Sequence, residues 1–204
     1  IDNTIRVWDL MAEPSIEVTI YSKFVTNVGI SLDGKLAVSA DYSNTIRVWD
    51  LTSGTSKKLT GRGRYNWFNV AISPNGKTVI SASSGRTLQM WDLSTGATKK
   101  LVGHTNYVGA IAIALDGKTA ISGSADKTLR LWDLVTGTSK KFIGHTDTIR
   151  DVAISSNGKI AISGSDDKTV RIWDFTSGTS KKFIGHTESV YAVTLSPDGK
   201  TAIS

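Results

Sequence analysis

Three histidines, set among many serines and aspartates, are the residues of this chain that invite a chemical reading. A Ser-His-Asp set would suit a hydrolase, with histidine as general base and serine as nucleophile. The histidines stand in Gly-His pairs, Gly103-His104, Gly144-His145 and Gly185-His186. Successive pairs are 41 residues apart. A hydrolase needs one special set with an exposed nucleophile and an oxyanion hole, whereas a constellation repeated at a fixed interval reads as a structural module. Histidine also binds metals, but three histidines in three separate repeats do not converge. The chain has no cysteine, which removes a cysteine nucleophile, a thiolate zinc site and a disulfide scaffold. We therefore expect no catalytic residue, no cofactor and no metal.

The interval points to the elements that must hold these residues. Trp-Asp pairs stand at Trp8, Trp49, Trp91, Trp132 and Trp173. Asp-Gly or Asn-Gly pairs keep the same beat, at Asp33, Asn75, Asp116, Asn157 and Asp198. Such self-similarity is the sign of a repeat architecture. Within one repeat, residues 108–113 are apolar and β-prone, and Asp116-Gly117 predicts a tight type I′ hairpin turn. Thr119–Ser122 forms a second strand and Ser124–Lys127 a second turn. Thr128–Asp133 alternates strictly and reads as a third strand with one buried face. Thr136–Ser139 breaks the pattern, and Lys140–Ile143 gives a fourth strand. Four antiparallel strands cannot bury both faces alone, so neighbouring repeats must stack.

A repeat of this length with Gly-His and Trp-Asp resembles the WD-repeat (WD40) β-propeller family, and the resemblance covers the whole chain. It implies an all-β fold of four-stranded blades and about five repeats. It also implies a structural hydrogen-bond chain in each blade, linking the His, a Ser of the second strand, an Asp of the next turn and the Trp. Those positions are His104, Ser122, Asp126 and Trp132, and again His145, Ser163, Asp167 and Trp173. Two repeats depart from the pattern. That of Trp49 has Tyr21 and Ser43 in place of the His and Asp, and that of Trp91 has Arg62 and Gly85 with one inserted residue. Drift of redundant repeats is one reading and loops shaped for a partner the other, and those blades are expected to be less rigid.

The family's usual contact surface is the end where first strands begin. Position by position it maps to Phe24, Thr26 and Tyr42, then Asn66, Phe68 and Ser84. It continues through Tyr107, Gly109 and Ala125, then Thr148, Arg150 and Asp166, and ends at Ser189 and Tyr191. Aromatic and arginine side chains suit interface hot spots, so Phe24, Tyr42, Asn66, Phe68, Tyr107, Arg150, Asp166 and Tyr191 form the candidate partner face. Trp67 falls where Val108 and Ile149 stand and reads as an extra core residue. The function implied is a non-catalytic interaction scaffold with a protein or peptide partner. Even arrays of this kind resemble bacterial WD-repeat proteins, in which propellers serve as sensors beside nucleotide-binding signalling domains. No Gly-x-x-x-x-Gly-Lys-Ser/Thr loop is present here. The alternative is a structural or engineered repeat assembly without a natural ligand.

The chain has 204 residues and a net charge of +6. Lys-Lys pairs at Lys57, Lys99, Lys140 and Lys181 open the fourth strands, where lysine blocks edge-to-edge aggregation. A basic rim for an acidic partner is the other reading. Nucleic acid is disfavoured, because no aromatics interleave with the lysines. No membrane span or leader is visible, and the expected location is cytoplasmic. Residues 1–204 read as a single propeller domain or part of one. The ends match two strands each, so either they complete one split blade of a five-blade ring or the chain is a piece of a longer array. Self-association through the ends would fit the second case.

Overall fold

The computed structural model describes residues 4–7, 16–19, 25–41, 45–59, 67–83 and 85–204; residues 4–7, 16–19, 67, 68 and 83 are described for their backbone alone. All regular structure among them is β-strand. Sheet I comprises β3 (Val25–Ile30), β4 (Leu36–Asp41), β5 (Ile46–Asp50) and β6 (Ser56–Leu59). Sheet II comprises β7 (Trp67–Ile72), β8 (Thr78–Ser83), β9 (Thr87–Asp92) and β10 (Thr98–Val102). Sheet III comprises β11 (Val108–Ile113), β12 (Thr119–Ser124), β13 (Thr128–Asp133) and β14 (Ser139–Ile143). Sheet IV comprises β15 (Ile149–Ile154), β16 (Ile160–Ser165), β17 (Thr169–Asp174) and β18 (Thr179–Ile184). Two separate two-stranded sheets flank them, β1 (Thr4–Val7) with β2 (Ile16–Thr19), and β19 (Thr194–Leu195) with β20 (Ala202–Ile203). Every four-stranded sheet keeps chain order, so each is an antiparallel meander.

The hairpin between first and second strands is not the type I′ turn predicted from Asp-Gly. Among the described residues Lys127 and Lys168 are the non-glycine residues with positive φ, so Asp116 stays on the negative side and in this turn only Gly117, at φ 63°, is left-handed. The turn closes through Gly117 N–H donating to the Ala114 carbonyl (3.0 Å), inside a hairpin whose outer bond is Ala114 N–H to Thr119 O (2.8 Å). Four residues, rather than two, make the loop, and four-residue hairpins prefer this construction. The Asp116 carboxylate accepts from the Lys118 and Thr119 amides and the Thr119 hydroxyl, which supplies the loop's polar stitching.

The sheets stack in chain order, with β3 on β7, β7 on β11, β11 on β15 and β15 on β19. Each junction is an apolar layer. Leu88 and Leu101 of sheet II meet Val108, Ala120 and Trp132 of sheet III, and Leu129 and Phe142 of sheet III meet Ile149, Ala161 and Trp173 of sheet IV. Trp91, Trp132 and Trp173 thus plug the gap against the preceding sheet. Burying one large apolar side chain is worth about 1.5–3 kcal/mol, so the layers dominate the cohesion of the stack. The innermost strands approach closely. A Cβ on Gly123 would collide with Ile149, and one on Gly164 with Val190, so glycine there lets the next sheet seat.

A bulge recurs near the start of each innermost strand, between Val25 and Asn27, Trp67 and Asn69, Val108 and Ala110, and Ile149 and Asp151. Trp67 pairs with Ser83 as Val108 pairs with Ser124, so the two share one backbone position. In three of these strands the residue after the bulge laces adjacent sheets. Asn27 Oδ1 accepts from Val70 N–H (3.3 Å), Asn69 Nδ2 donates to Gly109 O (3.2 Å), and Asp151 Oδ2 accepts from Val193 N–H (2.8 Å).

Candidate functional site

In sheet III, Trp132 Nε1–H lies 2.8 Å from Ser122 Oγ, Ser122 Oγ lies 2.7 Å from His104 Nε2, and His104 Nδ1 lies 2.8 Å from Asp126 Oδ2. Sheet IV repeats this through Trp173, Ser163, His145 and Asp167 at 2.8, 2.7 and 2.7 Å. The direction of the chain follows from chemistry. Indole can only donate and an ionised carboxylate can only accept. Trp therefore donates to Ser, Ser O–H donates to His Nε2, and His Nδ1–H donates to Asp. This requires a neutral imidazole protonated at Nδ1.

The electrostatics agree with that assignment. Burial holds His104 and His145 below the ordinary histidine value, although Asp126 and Asp167 pull the other way. Burial tends to raise the two carboxyls, but the Thr128 and Thr169 hydroxyls, the Thr105 and Thr146 amides and the histidines outweigh it and hold both at about 2. Thr128 and Thr169 are members that the sequence reading missed. Their hydroxyls donate to Asp126 and Asp167 at 2.6 Å. Their recurrence at one interval was the available signal.

This is a Ser-His-Asp arrangement with hydrogen-bond distances, yet it cannot present a nucleophile. Ser122 and Ser163 are fully buried. Their oxygens already accept the indole N–H and their protons are committed to histidine. The strand arginine adds a further layer. Arg130 and Arg171 lie over the Trp132 and Trp173 rings at 5.9 and 5.8 Å and donate to Ser139 and Ser180. A Cβ on Gly103 or Gly144 would meet these guanidinium groups, which accounts for the glycine before His104 and His145.

The divergent repeats keep parts of this scheme. In sheet I, Trp49 Nε1–H donates to Ser39 Oγ (3.0 Å), and Asp41 accepts the Thr45 amide, the task of Asp126 at Thr128. In sheet II, the buried Ser81 hydroxyl has no hydrogen-bond partner. Gln89 takes the arginine position and bonds Met90 and Lys99 carbonyls instead. Gly85 is described; Tyr21, Ser43 and Arg62 lie outside the described residues.

A second cluster sits at the end of the stack where first strands begin. Arg150 Nε lies 2.9 Å from both Asp166 oxygens, and its Nη2 lies 2.6 Å from Oδ2. Nη1 donates to the Tyr107 hydroxyl (3.3 Å), and the guanidinium lies 5.9 Å from the Tyr191 ring centre. The Arg150 bond holds the Asp166 carboxyl below its usual range, with a Ser189 hydrogen bond acting the same way. Four candidates from three successive repeats, Tyr107, Arg150, Asp166 and Tyr191, thus share one cluster. Tyr191 is 70% exposed. Phe24, Tyr42, Asn66 and Ser84 lie outside the described residues, and Phe68 is described for its backbone alone. Thr26 donates to Ala40 O, and Gly109 gives its carbonyl to Asn69. Ala125 N–H and Asp166 N–H tie the turns to the Tyr107 and Thr148 carbonyls.

Among the described residues no group of three or more His, Cys, Asp or Glu is placed to hold a metal ion, and no helix is long and apolar enough to cross a membrane. Residues 16–50, 58–92, 96–133, 137–174 and 178–204 each match the family model described as WD domain, G-beta repeat. Comparison with curated proteins gives no match.

Proposed function

The chain belongs to the WD40-repeat family, whose repeats generally mediate protein–protein interaction and scaffolding, and from that premise we propose that it is a non-catalytic scaffold that binds a protein or peptide at the Tyr107–Arg150–Asp166–Tyr191 end. One observation carries this reading. An arginine is held in place by a two-toothed carboxylate and flanked by two tyrosines, drawn from three repeats. A fixed arginine loses little entropy on binding, and exposed tyrosine supplies area at low conformational cost. Arg150 has five N–H groups and spends three on these contacts, so one remains on each terminal nitrogen for a partner. Its side chain is 38% exposed.

The same reading extends to a cytoplasmic protein, on its cysteine-free composition, and to a sensor role within a larger signalling protein. The test is affinity capture of a partner, identified by mass spectrometry, with the native chain beside Arg150→Gln and Tyr191→Ala. Both variants keep the native circular dichroism spectrum and lose the partner. Retention of the partner by both would overturn the assignment of this end.

A further inference from the structure

The lysine pairs are the feature that interaction at the end face does not use. Strands β6, β10, β14 and β18 are the last strands of their sheets, so each has an edge without a strand partner among the described residues. Together they carry eight lysines and no acid. Those eight exceed the net charge of the entire chain, +6. None forms a salt bridge among the described residues.

The two lysines of a pair have different surroundings. The first turns toward the following sheet or an aromatic ring. Lys99 Nζ donates to the Val135 and Thr136 carbonyls, and Lys140 and Lys181 lie over Phe142 and Phe183. The second, Lys58, Lys141 or Lys182, stands directly opposite Arg47, Arg130 or Arg171 on the neighbouring strand. Like charges placed directly opposite are destabilising. One lysine per edge already deters unwanted pairing, so edge protection accounts for the first lysine and leaves the second unexplained. Two residues along the same strand face from Lys100, Lys141 and Lys182 stands a large apolar side chain: Val102, Ile143 and Ile184 are 70, 72 and 81% exposed.

We propose that the outer edges of these sheets accept an extended polypeptide segment in which acidic residues alternate with apolar ones, added as a further antiparallel strand. Strand addition supplies affinity through main-chain bonds and selectivity through alternate side chains. An acid opposite Lys141 would relieve its repulsion from Arg130, and an apolar residue opposite Ile143 would cover it. The pattern Lys-x-apolar repeats on β10, β14 and β18, with Gln89 in place of the arginine opposite Lys100, so one such segment can choose among three edges, and tandem segments gain by multivalency. A nucleic acid strand would satisfy the charges but leave Val102, Ile143 and Ile184 uncovered.

The test titrates the native chain with fluorescein-labelled peptides about eight residues long, near the usual length of a strand. One alternates Glu and Val, one has the same composition with Glu in a single block, and oligothymidylate serves as a plain polyanion. The alternating peptide binds, weakens as salt rises, and protects β10, β14 or β18 amides from hydrogen exchange. The block peptide and oligothymidylate bind about tenfold more weakly or worse. Lys100→Gln/Lys141→Gln/Lys182→Gln, all at exposed positions, loses alternating-peptide binding with a thermal midpoint no lower than that of the native chain, since two like-charge pairs are relieved. Equal binding of the block peptide or of oligothymidylate overturns strand addition, and so does absence of binding. Arg150→Gln leaves this binding intact, which separates it from the end-face reading.

Discussion

Two serines on equivalent strand positions should respond oppositely to the same mutation. Ser163 and Ser81 both lie on second strands, opposite Arg171 and Gln89, and both are fully buried. Ser163 joins Trp173 Nε1–H to His145 Nε2 at 2.8 and 2.7 Å. Ser81 has no hydrogen-bond partner. Ser163→Ala strands one buried donor and one buried acceptor. Each such group costs about 1–3 kcal/mol, so the loss comes to about 2–6 kcal/mol. Ser81→Ala removes a hydroxyl that is already unsatisfied, and the change lies between zero and a gain of about 1 kcal/mol. Urea unfolding followed by tryptophan fluorescence, read at constant m-value, measures both. Equal losses in the two variants would refute the reasoning, because serine identity rather than its bonding would then set the cost.

The remaining expectations concern pH and the inter-sheet lace. Burial keeps His104 and His145 below the ordinary 6.5, so the unfolded chain binds more protons below that pH and stability declines as pH drops from about 6.5. Asp126 and Asp167 sit at about 2 against 3.8 unfolded, so their contribution is complete above about pH 4 and vanishes toward pH 2; allowing for solvent screening it is about 1–2 kcal/mol each, readable from thermal midpoints across that window. Burial raises Asp151, so its ionisation opposes folding at neutral pH and the opposition fades as pH falls. Asp151→Asn, which reproduces Asn27 and Asn69 at the equivalent position, keeps one acceptor and loses the second, used by the Val152 amide, so relative to the native chain it is more favourable at pH 7 than at pH 4 in paired denaturation curves. Gly164→Val forces a side chain into Val190 and costs about 1–3 kcal/mol by the same assay.

Much of the architecture was legible because it repeats. The alternation and turn residues placed the strands of residues 108–143 to within one or two residues, and the family resemblance implied both polar chains. The turn at Asp116-Gly117 was misread because a dipeptide does not specify how many residues the hairpin spends around it. What stayed hidden depends on neighbours roughly 40 residues away. Asn27, Asn69 and Asp151 become an inter-sheet lace only when a bulge aims them at the next innermost strand. Gly103 reads as a free loop glycine until Arg130 is seen against it. Lys99 reads as an edge charge until its ammonium meets carbonyls of the following sheet. Lys127 and Lys168, left-handed at φ 69° and 67°, are likewise tied to the Thr146 and Thr187 carbonyls, bonds that offset a backbone cost of about 1–2 kcal/mol.

Nitrogen-15 NMR of the histidine rings tests the structural strut most directly. The Trp-to-Asp order of donors requires His104 and His145 to be neutral and protonated at Nδ1, with indole and serine partners locked in place. The spectra should show that tautomer for both residues in their neutral form, with both rings titrating below the ordinary 6.5. An Nε2-protonated tautomer, or titration at the ordinary histidine value, would contradict it.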